Sequence, residues 1–207
     1  MSPAEAQSPV TIRTATGDDL DAVLRVGHET WRVTYEPIAG PDYVAMGLAK
    51  WWTADAVIPG IRVGRTLVAD EDAAVVGMAS YGSQGNELVL WKLYVLPGHQ
   101  GQGIGRRLLD EVVLRASQLG HRTLHVSHID GNDHAARFYE RNGFRYTHRE
   151  PGGSGLPDEI WLAKDLAKDL VMGDDQAADA ASPDGSVLPD DSVPPDDSVP
   201  PGQREAR

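Results

Sequence analysis

The stretch Gln100-Gly101-Gln102-Gly103-Ile104-Gly105 has residue types and spacing suited to holding an anion. An apolar strand ends just before it at Leu96-Pro97, and a helical pattern begins inside it at Ile104. A helix start leaves about four backbone N–H groups without intrahelical partners, and the helix dipole adds partial positive charge there. Glycines at 101, 103 and 105 let those amides approach a ligand with no Cβ in the way. Arg106 and Arg107 add full charges. These features predict a pyrophosphate site. The bland alternative is a glycine-rich turn that binds nothing.

Three other phosphate-binding patterns do not fit. A Walker loop needs Gly-Lys-Ser/Thr at the helix start, and here Gly105 is followed by Arg-Arg-Leu. A dinucleotide fingerprint needs G-x-G-x-x-G, and the spacing here is G-x-G-x-G. A kinase glycine loop is followed by catalytic-loop and metal-binding motifs, which the chain lacks.

The surrounding residues narrow the reading. Leu90-Trp91-Lys92-Leu93-Tyr94-Val95-Leu96-Pro97 followed by Gln100-x-x-Gly103-x-Gly105 resembles the Gln/Arg-x-x-Gly-x-Gly/Ala signature of the GNAT superfamily of acyl-CoA-dependent N-acetyltransferases. A second block, with Asn132 seven residues before Tyr139 in Ala135-Ala136-Arg137-Phe138-Tyr139-Glu140-Arg141-Asn142-Gly143-Phe144, is similar to the family's A-x-x-x-Y-x-x-x-G-F helix. The resemblance covers about Val10 to Leu166. It implies acetyl-CoA as co-substrate and no metal. The pantetheine arm would lie along the strand, bonded to backbone groups of Leu93, Tyr94 and Val95. The pyrophosphate would sit on Gln100, Gly101, Gln102, Gly103, Ile104, Gly105 and Arg106, with Asn132 bonding the pantetheine region. A bulge in the strand would splay it from the strand at Thr123 to His128 and open a cleft.

The implied reaction is attack of an amine on a thioester carbonyl. It needs a proton acceptor, a donor for the oxyanion and an acid for the leaving thiolate. The Val95 backbone N–H is the family-like oxyanion donor. Tyr139, implied to point at the sulfur, suits the acid role, because a phenol of pKa ~10 matches a thiolate in basicity; a core tyrosine is the alternative. Many relatives carry a glutamate on the cofactor strand at a position that falls here on Val89. Glu87, two residues earlier and on the same strand face, is the candidate base, acting through water; an exposed strand-start residue is the alternative. The slot some protein-N-terminal acetyltransferases fill with a glutamate on the next strand is here Ser127. His125, His128 and His134 lie nearby and read as ordinary surface or strand histidines, with no metal-ligand spacing among them. Trp31, Tyr35 and Glu36, in an aromatic-rich region with an acid, are candidates for holding the acceptor amine; core packing is the alternative for the tryptophans.

Elements must position these residues. Val10 to Ala15 alternates as a strand, and Thr16-Gly17-Asp18 starts a helix bearing Leu20, Val23, Leu24, Gly27 and Trp31. Pro37 to Pro41 reads as a loop. Asp42 to Val57 reads as a helix broken by Pro59-Gly60. Thr66 to Ala69 and Ala74 to Tyr81 form a hairpin. Glu87 to Leu96 is a strongly apolar strand, as expected when both faces are covered. A helix spans Ile104 to Leu119, a strand Thr123 to His128, and a helix capped at Asp130 to Asn132 runs to about Asn142. Gly143 supplies a left-handed stop. Arg145 to Arg149 and Ile160 to Leu166 close the domain. The expected class is α/β (α+β): a mixed, mostly antiparallel sheet flanked by helices, with a V-shaped splay between the two central strands.

Bulk properties limit the alternatives. The chain has 207 residues, no cysteine and a net charge of −12. Lys92 to Arg149, which holds the glycine turn, carries 9 basic against 5 acidic residues. An acidic chain with one locally basic segment disfavours general nucleic-acid binding and suits a discrete anion. No apolar run approaches the roughly 20 residues of a membrane helix, and Met1 to Pro9 lacks a signal-peptide pattern, so a cytoplasmic protein with no membrane partner is expected. Residues 1–9 read as a flexible N-terminus, 10–172 as the acetyltransferase domain, and 173–207 as a disordered acidic tail with a Ser-Val-x-Pro-Asp-Asp repeat. The function expected is transfer of an acetyl group from acetyl-CoA to a primary amine of a small molecule or peptide, in a ternary complex, by a monomer or homodimer. A catalytically degenerate acyl-CoA sensor or scaffold is the alternative.

Overall fold

A computed structural model describes residues 9–153 and 155–167. The tail expected from Gly173 and most of the flexible N-terminus lie outside the described residues. Seven strands form one sheet in the order β1-β2-β3-β4-β5-β7-β6. The strands are β1 (Thr11–Thr14), β2 (Thr66–Glu71), β3 (Ala74–Gln84), β4 (Glu87–Val95), β5 (Thr123–Ile129), β6 (Arg145–Glu150) and β7 (Glu159–Asp165). Every neighbouring pair is antiparallel except β4 and β5. Among the described residues, four α-helices flank the sheet: α1 (Leu20–Trp51), α2 (Ala54–Arg62), α3 (Ile104–Gln118) and α4 (Asp133–Arg141).

The expected splay is present. β4 and β5 pair only through Leu88–Leu90 and Leu124–Val126. On its other side β4 shifts register against β3, where Ser80 faces Lys92 but Tyr81 faces Leu90. Trp91 is therefore an extra residue on β4. Such a bulge bends its strand and increases the local twist, which directs the end of β4 away from β5.

The helical layer departs from the local proline rules. The helix continues past Pro37 and breaks only at Gly40, whose φ of 80° and ψ of 171° are non-helical. Pro41 then opens the second arm of α1, where a missing N–H costs nothing. The helix ends at Trp51, and α2 restarts at Ala54 with the Thr53 side chain accepting from the Ala56 N–H. Pro59 and Gly60 sit inside α2. Packing outweighs their poor propensity: Val57 and Ile61 are buried, as are Trp51 and Trp52. The two arms of α1 close through glycines. A Cβ on Gly27 would overlap the Trp52 ring, and one on Gly47 would overlap Trp31.

Before α1, Thr16 and Asp19 bond reciprocally. The Asp19 N–H donates to the Thr16 carbonyl at 3.0 Å, and the Thr16 N–H donates to the Asp19 carboxylate at 2.7 Å. Arg13 on β1 forks onto Asp19 with both contacts at 2.7 Å and reaches Asp70 on β2. This cluster fixes where α1 leaves the sheet.

Candidate active site

The cleft opens where β4 and β5 part. It encloses about 650 Å³. The Leu96 N–H donates to the Val76 carbonyl at 2.9 Å. Backbone groups alternate sides along an antiparallel strand, so Leu93 and Val95 turn theirs toward the gap. The Gln100 side chain takes one of them, its Nε2 donating to the Val95 carbonyl at 2.9 Å. That bond holds the glycine turn against the edge of β4.

Gly101 and Gly103 have φ of 78° and 80°, with open space where a Cβ would stand. This left-handed geometry is the local reason for glycine at both positions. Gly103 caps α3 without any side-chain bond, and the first turn of α3 contains no acidic residue. Its amide donors are thus left to the cleft, beside Arg106, which also lines it. Arg106 bonds Asp110 through Nε at 2.7 Å. Gly105 is different: a Cβ there would meet Phe138 and Val95 at ordinary contact distances of 3.7 and 3.8 Å. Arg107 and Gln102 lie outside the cleft lining, and Gln102 Nε2 donates to the Gly98 carbonyl. The arrangement fits a pyrophosphate followed by an extended arm along β4. It contains paired backbone donors, a nearby cation and no opposing carboxylate in the turn.

The opposite wall comes from β5 and α4. Asn132 is buried and caps α4, its Oδ1 accepting from the Ala135 N–H at 3.1 Å. Its amide group borders the cleft. Tyr139 lines the cleft, with Phe138 and Phe144 edge-on to its ring at 5.3 and 5.5 Å. Burial, and secondarily the nearby Tyr35, push its phenol well above the ordinary tyrosine range. Tyr139 is therefore held in its protonated, donor form, as a weaker acid than the ordinary phenol assumed from sequence. Tyr35, from the first arm of α1, also lines the cleft, and its hydroxyl lies 3.1 Å from that of Tyr94. Burial raises both of these phenols as well.

Several expected residues are not brought together. Glu87 stands at the closed end of the V, its side chain 62% exposed and 3.8 Å from His125. It lies six residues, or ~20 Å of strand, from Leu93, and outside the cleft lining. Trp31 is 3% exposed and packs on Tyr35, Tyr43 and Trp51 in the core. Glu36 is exposed and also outside the lining. Of the three acceptor candidates, only Tyr35 reaches the cleft. His128 and His134 line it, whereas His125 does not.

One buried residue behind Ser127 escaped the sequence reading. Glu159, the first residue of β7, is 4% exposed, and its Oε2 has no hydrogen-bond partner. The hydroxyl of Ser127 on β5 bonds its carboxylate, while burial pushes that carboxyl up to about 7. An acidic residue immediately before the apolar run Ile160-Trp161-Leu162 is the only local sign of it. Among the described residues, no group of three or more His, Cys, Asp or Glu is placed to hold a metal. No helix among them is long and apolar enough to cross a membrane.

Comparison with known proteins agrees with this geometry. A family model described as an acetyltransferase (GNAT) domain matches residues 62–146, which include the turn and Tyr139. An uncharacterized N-acetyltransferase of Bacillus subtilis, YuaI, is 30% identical over 132 residues, covering 59% of this chain and 73% of the relative. The L-methionine sulfoximine/L-methionine sulfone acetyltransferase of Salmonella typhimurium is 30% identical over 123 residues, covering 57% of this chain and 68% of the relative. The fold matches the PaiA N-acetyltransferase of Thermoplasma acidophilum, solved in complex with coenzyme A, with a TM-score of 0.68 and 22% identity over 76% of this chain and 99% of that one. With these relatives and the domain match spanning both walls of the cleft, the chain belongs to the GNAT superfamily and is an acetyltransferase.

Proposed function

We propose that the protein transfers the acetyl group of acetyl-CoA directly to a primary amine of a small molecule or peptide, with both substrates bound together. The observation carrying this reading is the cleft itself. An open strand edge at Leu93 and Val95 runs from an uncapped, acid-free helix start to a protonated tyrosine.

Acetyl-CoA supplies the acetyl group as an activated thioester. The amides from Gly101 to Gly105, with Arg106, hold the pyrophosphate by paired N–H donation and charge. Leu93 and Val95 offer backbone groups to the pantetheine arm, and the Asn132 amide borders its path. The Val95 N–H, like the carbonyl that Gln100 takes, turns away from β3 toward the gap. It is the donor for charge developing on the carbonyl oxygen. Tyr139, buried and protonated, donates to the departing sulfur. The first arm of α1, through Tyr35 and Ile38, forms the acceptor side.

The test is incubation with acetyl-CoA and a panel of primary amines, with free thiol and acetylated product both measured. Thiol release dependent on one amine class supports the reading. Tight coenzyme A binding with no transfer to any amine contradicts it.

A further inference from the structure

We infer that Glu159 is the terminal acceptor of the acceptor amine's proton, reached through the hydroxyl of Ser127. This assignment rests on the amine-transfer reading above.

Glu159 and Ser127 share one face of the sheet. Ile129 lies opposite Glu159, and Ser127 lies opposite Trp161, two pairs further along. Ser127 lines the cleft and Glu159 stands behind it. The Ser127 hydroxyl bonds the carboxylate, while Oε2 is buried and unpartnered. Leaving a buried carboxylate oxygen unpaired is costly, and taking up a proton relieves that cost. The groups facing Glu159 are Glu150 on β6 and the hydroxyls of Tyr35 and Tyr43 on α1. Glu150 adds like charge, and His148 on β6 engages Glu150 at 3.2 Å. None of these facing groups is a lysine or arginine that would hold the carboxylate ionised. A carboxyl in this setting takes up a proton far more readily than an exposed one, which the rise to about 7 reflects.

The relay balances. The acceptor's ammonium gives one proton to Ser127 Oγ while the Ser127 hydroxyl proton passes to the Glu159 carboxylate. The freed amine nitrogen then bonds to the acetyl carbon as the carbon–sulfur bond breaks. Tyr139 gives its proton to the departing sulfur, and the second N–H proton passes from nitrogen to the resulting phenolate, so the thiol and the phenol are both restored. Glu159 finally releases its proton to solvent. Serine cannot hold the charge alone, so Glu159 is a positioning residue that acts through it.

The test is the kcat-against-pH profile of acetyl transfer between pH 5 and 9.5 for the wild type, Glu159→Gln and Ser127→Ala. Coenzyme A affinity is measured by calorimetry in parallel. The expected wild-type profile rises with an inflection near the pH at which Glu159 ionises. Glu159→Gln loses that inflection and about 10²-fold in kcat, while coenzyme A affinity stays within about twofold. Ser127→Ala gives the same pattern, and its result stands if Glu159→Gln fails to fold. A wild type that transfers to no amine overturns the reading of function, and this assignment with it. A wild type that transfers well, with variants that keep its profile and rate, overturns the Glu159 assignment alone.

Discussion

The hydroxyls of Tyr35 and Tyr94 lie 3.1 Å apart. This contact ties the first arm of α1 to β4 at the open end of the cleft. Tyr94 is also held by the edge of the Trp52 ring at 5.3 Å, and Trp52 fills the notch left by Gly27. The position of the acceptor wall is thus set by the tryptophan core behind it. Tyr35→Phe removes the bond while leaving the ring packing. We predict a lower rate of transfer with a Tm close to wild type, measured by thiol release and thermal melting.

Tyr139 stays protonated because burial, reinforced by Tyr35, raises its phenol. Tyr139→Phe keeps the contacts with Phe138 and Phe144 and removes only the donor. We predict a loss of about 10²-fold in kcat, with coenzyme A affinity changed less than about threefold. Unchanged turnover removes the acid role.

Gly103 holds a left-handed backbone at the start of α3. A branched side chain there is strained by roughly 1–2 kcal/mol, and it projects into the open space above the turn. Gly103→Val should abolish coenzyme A binding in calorimetry. Gly105→Ala, by contrast, meets only ordinary contacts and should preserve the fold. Retained binding in Gly103→Val contradicts the pyrophosphate assignment.

Glu159 also leaves a mark on stability. Its folded value of about 7 lies above the ordinary glutamate value of 4.5. The contribution of holding it protonated is fully present below pH ~4.5 and is lost as pH rises through about 7. Glu159→Gln lacks this dependence. Its stability relative to wild type should therefore increase by on the order of 3 kcal/mol between pH 4.5 and 8. Urea midpoints at several pH values in that range measure it.

Asp19 behaves in the opposite sense. The Arg13 fork holds its carboxyl down at about 2, against burial, with help from Thr16. The stability it contributes is present above pH ~3.8 and is lost as pH falls through about 2. Asp19→Asn should cost roughly 2 kcal/mol at pH 7 and progressively less toward pH 2, as read from denaturant melts.

The parts of the site visible in the sequence are those set by local geometry. Gly101 and Gly103 answer a left-handed backbone, Asn132 answers a helix start, and Gly143 answers a helix stop with φ of 86°. Each requirement involves neighbours only a few residues away. The helix layer was less legible because Pro37, Pro59 and Gly60 are overruled by tryptophans that pack from elsewhere in the chain. Glu87 was misplaced for a different reason. Strand alternation gives its face but not its distance along β4 from the splay. Glu159 was missed because its setting is entirely non-local: Ser127 comes from β5, Glu150 from β6 and the tyrosines from α1. Placing the start of that strand at Ile160 left the glutamate outside it.

The central claim is amine acetylation in the cleft between β4 and β5. The most direct measurement is mass-spectrometric detection of acetylated product, alongside thiol release, from acetyl-CoA and a broad panel of primary amines. The account predicts amine-dependent thiol release matched mole for mole by N-acetylated product, and its loss in Gly103→Val. Tight coenzyme A binding without acetylation of any amine contradicts it.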